Sequence, residues 1–98
     1  MSRFHVYRNK DGEGYLLDIQ ADLLQHLNTR VVVPLLPLGK LKPAQHLNPT
    51  FTIAGEPHAM VTQFMAAVPV TILGAEGASL VAEQSTIIGA LDFLFSGV

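Results

Sequence analysis

The side chains able to do chemistry are few and scattered. Four histidines, His5, His26, His46 and His58, lie far apart along the 98 residues. None has the i, i+4 or two-residue spacing by which a helix or hairpin holds a metal, so they read as structural or surface groups. The carboxylates Asp18, Asp22, Glu56, Glu76, Glu83 and Asp92 form no local acid–base pair. Gly12-Glu13-Gly14 lacks the third glycine and the strand-to-helix setting of a phosphate-cradling loop. No nucleophile elbow surrounds a serine, and the chain has no cysteine for a thiolate, a disulfide or a zinc site. Arg30 with Thr29 is the one local pair with the makings of an RNA-cleaving set. The net charge of −2 and the six scattered Lys and Arg residues supply no basic groove around it. The expectation is a protein that acts by binding, with no catalytic residues, no metal and no cofactor.

The candidate binding end is the C-terminus. Leu80, Ile87, Leu91, Leu94 and Val98 recur on one stripe at helical spacing, and Val81, Ile88 and Phe95 widen it. Ser79 is the expected N-cap and Gly97 the expected left-handed C′ residue, which predicts a helix over about 79–96. Phe93 points off the stripe, and a contact in a homodimer is the expected place for it. An apolar terminal residue, Val98, is unusual where chain ends are polar and frayed, and so points to a partner.

The elements ahead of this helix read as six short strands. Phe4 and Val6, then Tyr15, Leu17 and Ile19, mark a hairpin turning at Asn9-Lys10-Asp11-Gly12, with Gly12 at positive φ. Asp22-Leu23-Leu24-Gln25 puts two bulky apolar residues in a loop. Arg30-Val31-Val32-Val33-Pro34-Leu35-Leu36 reads as a strand buried on both faces, with Pro34 at its end or at a bulge. Residues 37–49 read as the one long loop, a surface crossover or else a partner-contact segment. Thr50-Phe51-Thr52-Ile53, His58-Ala59-Met60-Val61 and the run 66–73 complete the set, and the glycines at 74 and 77 break the pattern. The expected fold is a single domain, mostly β, with a barrel over about 1–75 and one C-terminal helix. The composition is 49% hydrophobic and only 14% charged, more apolar surface than so small an interior hides, which points to a homodimer. No signal-peptide pattern and no apolar stretch near the roughly 20 residues of a membrane span is present, so a cytoplasmic protein is expected.

Five segments, taken in order, resemble the CcdB family. They are Phe4-His5-Val6-Tyr7; Leu17-Asp18-Ile19-Gln20-Ala21-Asp22-Leu23-Leu24; Asn28-Thr29-Arg30-Val31-Val32-Val33-Pro34-Leu35; Met65-Ala66-Ala67-Val68-Pro69-Val70; and Ala90-Leu91-Asp92-Phe93-Leu94-Phe95-Ser96-Gly97-Val98. The resemblance implies an SH3-like small β-barrel, the CcdB/MazF type of fold, acting as a homodimer. It implies a plasmid-maintenance type of toxin that binds the A subunit of DNA gyrase and traps the enzyme on cleaved DNA. It implies a CcdA antitoxin as second partner, and contact with operator DNA only through the antitoxin complex. The gyrase-binding positions it implies are Leu23, Leu24, Asp92, Phe95, Ser96, Gly97 and Val98. The best-known member has asparagine, tryptophan and isoleucine where this chain has Asp92, Ser96 and Val98, which shifts the aromatic anchor onto Phe95 and Phe93. Two other readings stand beside this one. One is a homologue that binds antitoxin but poisons gyrase weakly or not at all; the other is a MazF-type endoribonuclease.

Overall fold

The computed structural model describes residues 2–97. Seven antiparallel strands build one curled sheet: β1 (His5–Asn9), β2 (Tyr15–Asp18), β3 (Thr29–Pro37), β4 (Thr50–Ile53), β5 (Glu56–Met60), β6 (Ala66–Pro69) and β7 (Leu73–Ser79). They lie in the order β4-β5-β3-β2-β1-β7, and β6 pairs with the other half of β3. An α-helix, α1 (Gln84–Ser96), follows. This is the mostly β, small-barrel architecture with a C-terminal helix that the sequence predicts.

Strand β3 is the hub. One edge pairs with β2, from Tyr15↔Leu35 to Asp18↔Val32. The other pairs with β6 through Thr29–Val32 and with β5 through Leu35–Pro37. Pro34 sits in mid-strand rather than at an end, opposite Leu16. Its carbonyl accepts the Val61 N–H at 2.9 Å, so its ring nitrogen faces the junction where β5 gives way to β6. A proline is tolerated there because no ladder donor is needed.

The two faces of the sheet bury different sets. Val6, Leu17, Val33, Leu35, Phe51, Ile53 and Met60 pack against Leu80, Ile87, Ala90 and Leu91 of the helical segment. Tyr7, Leu16, Val32 and Leu73 form a second cluster on the opposite face, flanked by Val68 and Ile72. Strict two-residue alternation sorts neighbours such as Leu16 and Leu17 to opposite sides.

Three boundaries differ from expectation. The run 66–73 is two strands, because a 3₁₀ turn at Val70–Ile72 interrupts it and the Val70 N–H turns away to the Asn28 carbonyl at 3.0 Å. Residues 73–79 are a strand despite their glycines, because pairing with β1, through two register shifts, outweighs weak strand propensity. The helix begins at Gln84, not near 79. The Leu80 N–H still pairs with the Phe4 carbonyl at 2.7 Å, and a 3₁₀ turn at Val81–Glu83 comes first. Ser79 ends β7 instead of capping the helix, and its Oγ accepts the Val81 N–H at 3.4 Å.

In the β1–β2 hairpin the positive φ falls on Gly14 (78°), not on Gly12. A Cβ at Gly14 would stand 2.5 Å from the Leu35 carbonyl oxygen of β3. Gly14→Ala therefore combines backbone strain with a main-chain clash, and a loss of about 2–3 kcal/mol is expected. Urea unfolding checks this; an unchanged midpoint would show that the hairpin shifts freely off β3.

Candidate functional site

The proposed contact residues fall on two elements. Leu23 and Leu24 lie on a 3₁₀ turn (Asp22–Leu24) in the connection between β2 and β3. Leu23 is 88% exposed and Leu24 43%. Every residue from 21 to 29 is exposed, so this loop contributes nothing to either core. Asp92, Phe95, Ser96 and Gly97 sit at the end of α1, all exposed, with Phe95 at 70%. Asp92, Phe95 and Ser96 are related by i, i+3 and i+4 and so share a face. Gly97 adopts φ 72° and its N–H returns to the Phe93 carbonyl at 2.9 Å, the left-handed cap expected from sequence. Val98 lies outside the described residues. No hydrogen bond or ring contact among the described residues joins the leucine loop to the helix end.

The helix presents its apolar width unevenly. Ile87, Ala90 and Leu91 are buried. Val81, Ile88 and Phe95, each seven residues apart, are exposed at 46%, 37% and 70%. An apolar row at that spacing follows one side of the helical segment in solvent. On the other side Phe93 is half-buried within its own chain, its ring 5.9 Å from that of His46. The two help line a cleft of about 610 Å³ with Pro49, Thr86, Gly89 and Ala90. The intrachain partner for Phe93 comes from the crossover, which buried Asn48 holds in place. Asn48 Oδ1 accepts the Ala44 N–H at 3.0 Å, and its Nδ2 donates to the Met60 carbonyl at 2.9 Å. Periodicity exposed Phe93 as off-stripe but carried no signal that His46 would meet it.

The histidines serve separate places. His5 pairs with Glu76 across β1 and β7 at 2.9 Å. His58 is buried, with its ring centroid 5.3 Å from that of Tyr15 in a T-shaped pair. Among the described residues no group of three His, Asp or Glu side chains could hold a metal ion. Nor is any helix among them long and apolar enough to cross a membrane.

Arg30 is not at the surface. It is fully buried on the face of Val32, with Nε and Nη2 donating to Asp18 Oδ2 at 3.0 and 2.5 Å. Asp18 is equally buried, and its Oδ1 accepts the Gln20 N–H at 3.0 Å. Burial pushes the Asp18 carboxyl above its ordinary value, and the bonds from Arg30 and Gln20 oppose that rise. Sequence reading missed this network. Its signal was a charged residue at one end of an apolar β-run and a carboxylate beside Leu16 and Leu17.

These features define a class: a curled antiparallel half-barrel with a terminal helix, presenting exposed apolar side chains on a loop and at the helix end. The family model described as CcdB protein matches residues 3–97. The chain belongs to the CcdB family. Its fold is also similar to that of a mycobacterial endoribonuclease solved in complex with its cognate antitoxin, with a TM-score of 0.79 and 18% identity over 97% of this chain and 94% of that one.

Proposed function

We propose that this protein is the toxin of a toxin–antitoxin module. It acts by binding the A subunit of DNA gyrase and trapping the enzyme on cleaved DNA, with no chemistry of its own. The observation that carries this reading is Phe95, a large aromatic left 70% exposed at the end of a helix whose Ile87, Ala90 and Leu91 are buried. Exposed aromatics on a rigid element are the usual anchors of a protein interface. Leu23 and Leu24 offer a second apolar contact on the same terms. Two protomers in a homodimer would present both sets twice, which suits a two-armed target and raises avidity. A CcdA antitoxin that covers these side chains would neutralise the protein, and operator DNA would be met only through that complex.

The burial of Arg30 supports binding over RNA cleavage. A guanidinium at 0% exposure and committed to Asp18 is not placed to meet a phosphate. Ser96 favours a second reading, in which the chain binds antitoxin but grips gyrase weakly, because the exposed face of Asp92, Phe95 and Ser96 then carries a single aromatic.

One assay separates these. The protein is induced in a sensitive host, and purified protein is incubated with gyrase and supercoiled DNA, with a CcdA antitoxin, and with RNA. Growth arrest with accumulation of cleaved DNA is expected. Antitoxin binding without cleaved DNA would favour the second reading, and sequence-specific RNA cleavage would overturn both.

A further inference from the structure

The leucine loop has no hydrophobic anchor, yet it is not left loose. Residues 21–29 are all exposed, so apolar packing does not order them. What ties the middle of the loop to its return strand is one buried side chain, Gln20, just before it. Its Nε2 donates to the Leu24 carbonyl at 3.1 Å and the Thr29 carbonyl at 3.3 Å. Its Oε1 accepts the Val31 N–H at 3.0 Å. The backbone partners settle the orientation of the amide, since carbonyls only accept and an N–H only donates. A single side chain thus stitches the middle of the loop to its return strand.

Gln20 is itself held from behind. Its N–H donates to Asp18 Oδ1, and its carbonyl lies 3.5 Å from Arg30 Nη2. The outgoing limb has a second tie, where the Arg3 N–H donates to Asp22 Oδ1 at 2.7 Å. Within the loop, the N–H groups of Leu24, Gln25 and Leu27 bond to the carbonyls of Ala21, Asp22 and Leu24. The Leu24 carbonyl therefore accepts from both Gln20 and Leu27, and is the point through which the buried network reaches the exposed leucines.

We propose that Gln20, braced by the buried Asp18–Arg30 pair, is a positioning residue that presets Leu23 and Leu24 for docking on a protein target. This rests on the reading of those leucines as docking side chains. A loop ordered in advance loses less conformational freedom when it binds, so its contacts translate into affinity. Polar anchoring from beneath also leaves the Leu23 side chain largely, and Leu24 partly, open to the target.

The test uses the full-length protein and the gyrase A subunit. Gln20→Leu removes all three side-chain bonds. Gln20→Glu keeps the acceptor for Val31 and removes only the donors, and serves if the first variant fails to fold. Amide exchange at Leu24, Gln25 and Leu27 is expected to quicken about tenfold or more, with Val33 and Leu35 unchanged. Binding to gyrase A is expected to weaken roughly tenfold. In a double-mutant cycle that loss should vanish on a Leu23→Ala/Leu24→Ala background and persist in full on Phe95→Ala. A purely structural role would instead add equally on both backgrounds. If Leu23→Ala/Leu24→Ala binds gyrase like the parent, the leucine reading falls and the proposal with it. If the leucines matter but Gln20 variants neither quicken exchange nor couple to them, the reading stands and the role of Gln20 is overturned.

Discussion

Arg30→Met is expected to cost about 3–5 kcal/mol of stability at neutral pH, the range for stripping a partner from a buried charge. The fold leaves Asp18 no alternative. Both side chains are at 0% exposure, and Arg30 supplies two of the three hydrogen bonds its carboxylate accepts. The loss should depend on pH with a definite sign. Burial already raises the Asp18 carboxyl above its unfolded value. A group raised in this way contributes stability that is fully present below its unfolded pKa and lost as pH rises through its folded one. Without Arg30 the desolvation is opposed mainly by the Gln20 N–H, the folded value climbs further, and the protonated form is favoured over a wider window. The gap between variant and parent should therefore narrow as pH falls and be greatest above the raised pKa. Urea unfolding across a pH series reads this directly. The pair replacement Asp18→Leu/Arg30→Met should recover most of the loss, because no charge then remains buried. A single variant whose deficit is the same at every pH would show that Asp18 is not the group left exposed to the cost.

Phe95→Ala is expected to do the opposite: little to stability, much to binding. Its ring is 70% exposed, so removal leaves no cavity, and the unfolding midpoint should stay within about 0.5 kcal/mol of the parent. Affinity for the gyrase A subunit should fall by about 2 kcal/mol or more, roughly thirtyfold, as for truncation of an aromatic interface anchor. Titration calorimetry and the DNA-cleavage assay measure the two sides of this. Phe93→Ala is the control, since that ring is half-buried against His46 and its removal should register in stability. Full gyrase affinity in Phe95→Ala would remove the helix end from the proposed contact.

Local patterns carried much of the fold because they report local physics. Alternation in Thr50-Phe51-Thr52-Ile53 and the β-branched run around Val32 reflect side chains leaving a strand on opposite faces, a property of the backbone alone. The helical stripe placed Ile87 and Leu91 in the core, and Gly97 marked the stop. What misled was also local. The glycines at 74 and 77 read as a break, and Ser79 as a helix cap, because nothing nearby in sequence shows that β1 is waiting to pair with this segment as far as Leu80. Pro34 read as a strand end or a bulge because its junction between β5 and β6 exists only once three distant segments meet.

The candidate site divides the same way. The sequence by itself determined that Leu23, Leu24 and Phe95 are apolar groups in a loop and at a helix end. Only the tertiary structure decided that Phe95 stands in solvent while Phe93, two residues earlier, leans on His46. Only it decided that Arg30 turns inward to Asp18 and that Gln20 ties down the leucine loop. The reason is that burial and hydrogen-bond partnership belong to pairs of groups. Asp18 and Arg30 are twelve residues apart, and His46 and Phe93 are far more distant along the chain. No periodicity within one segment encodes where the other segment will lie.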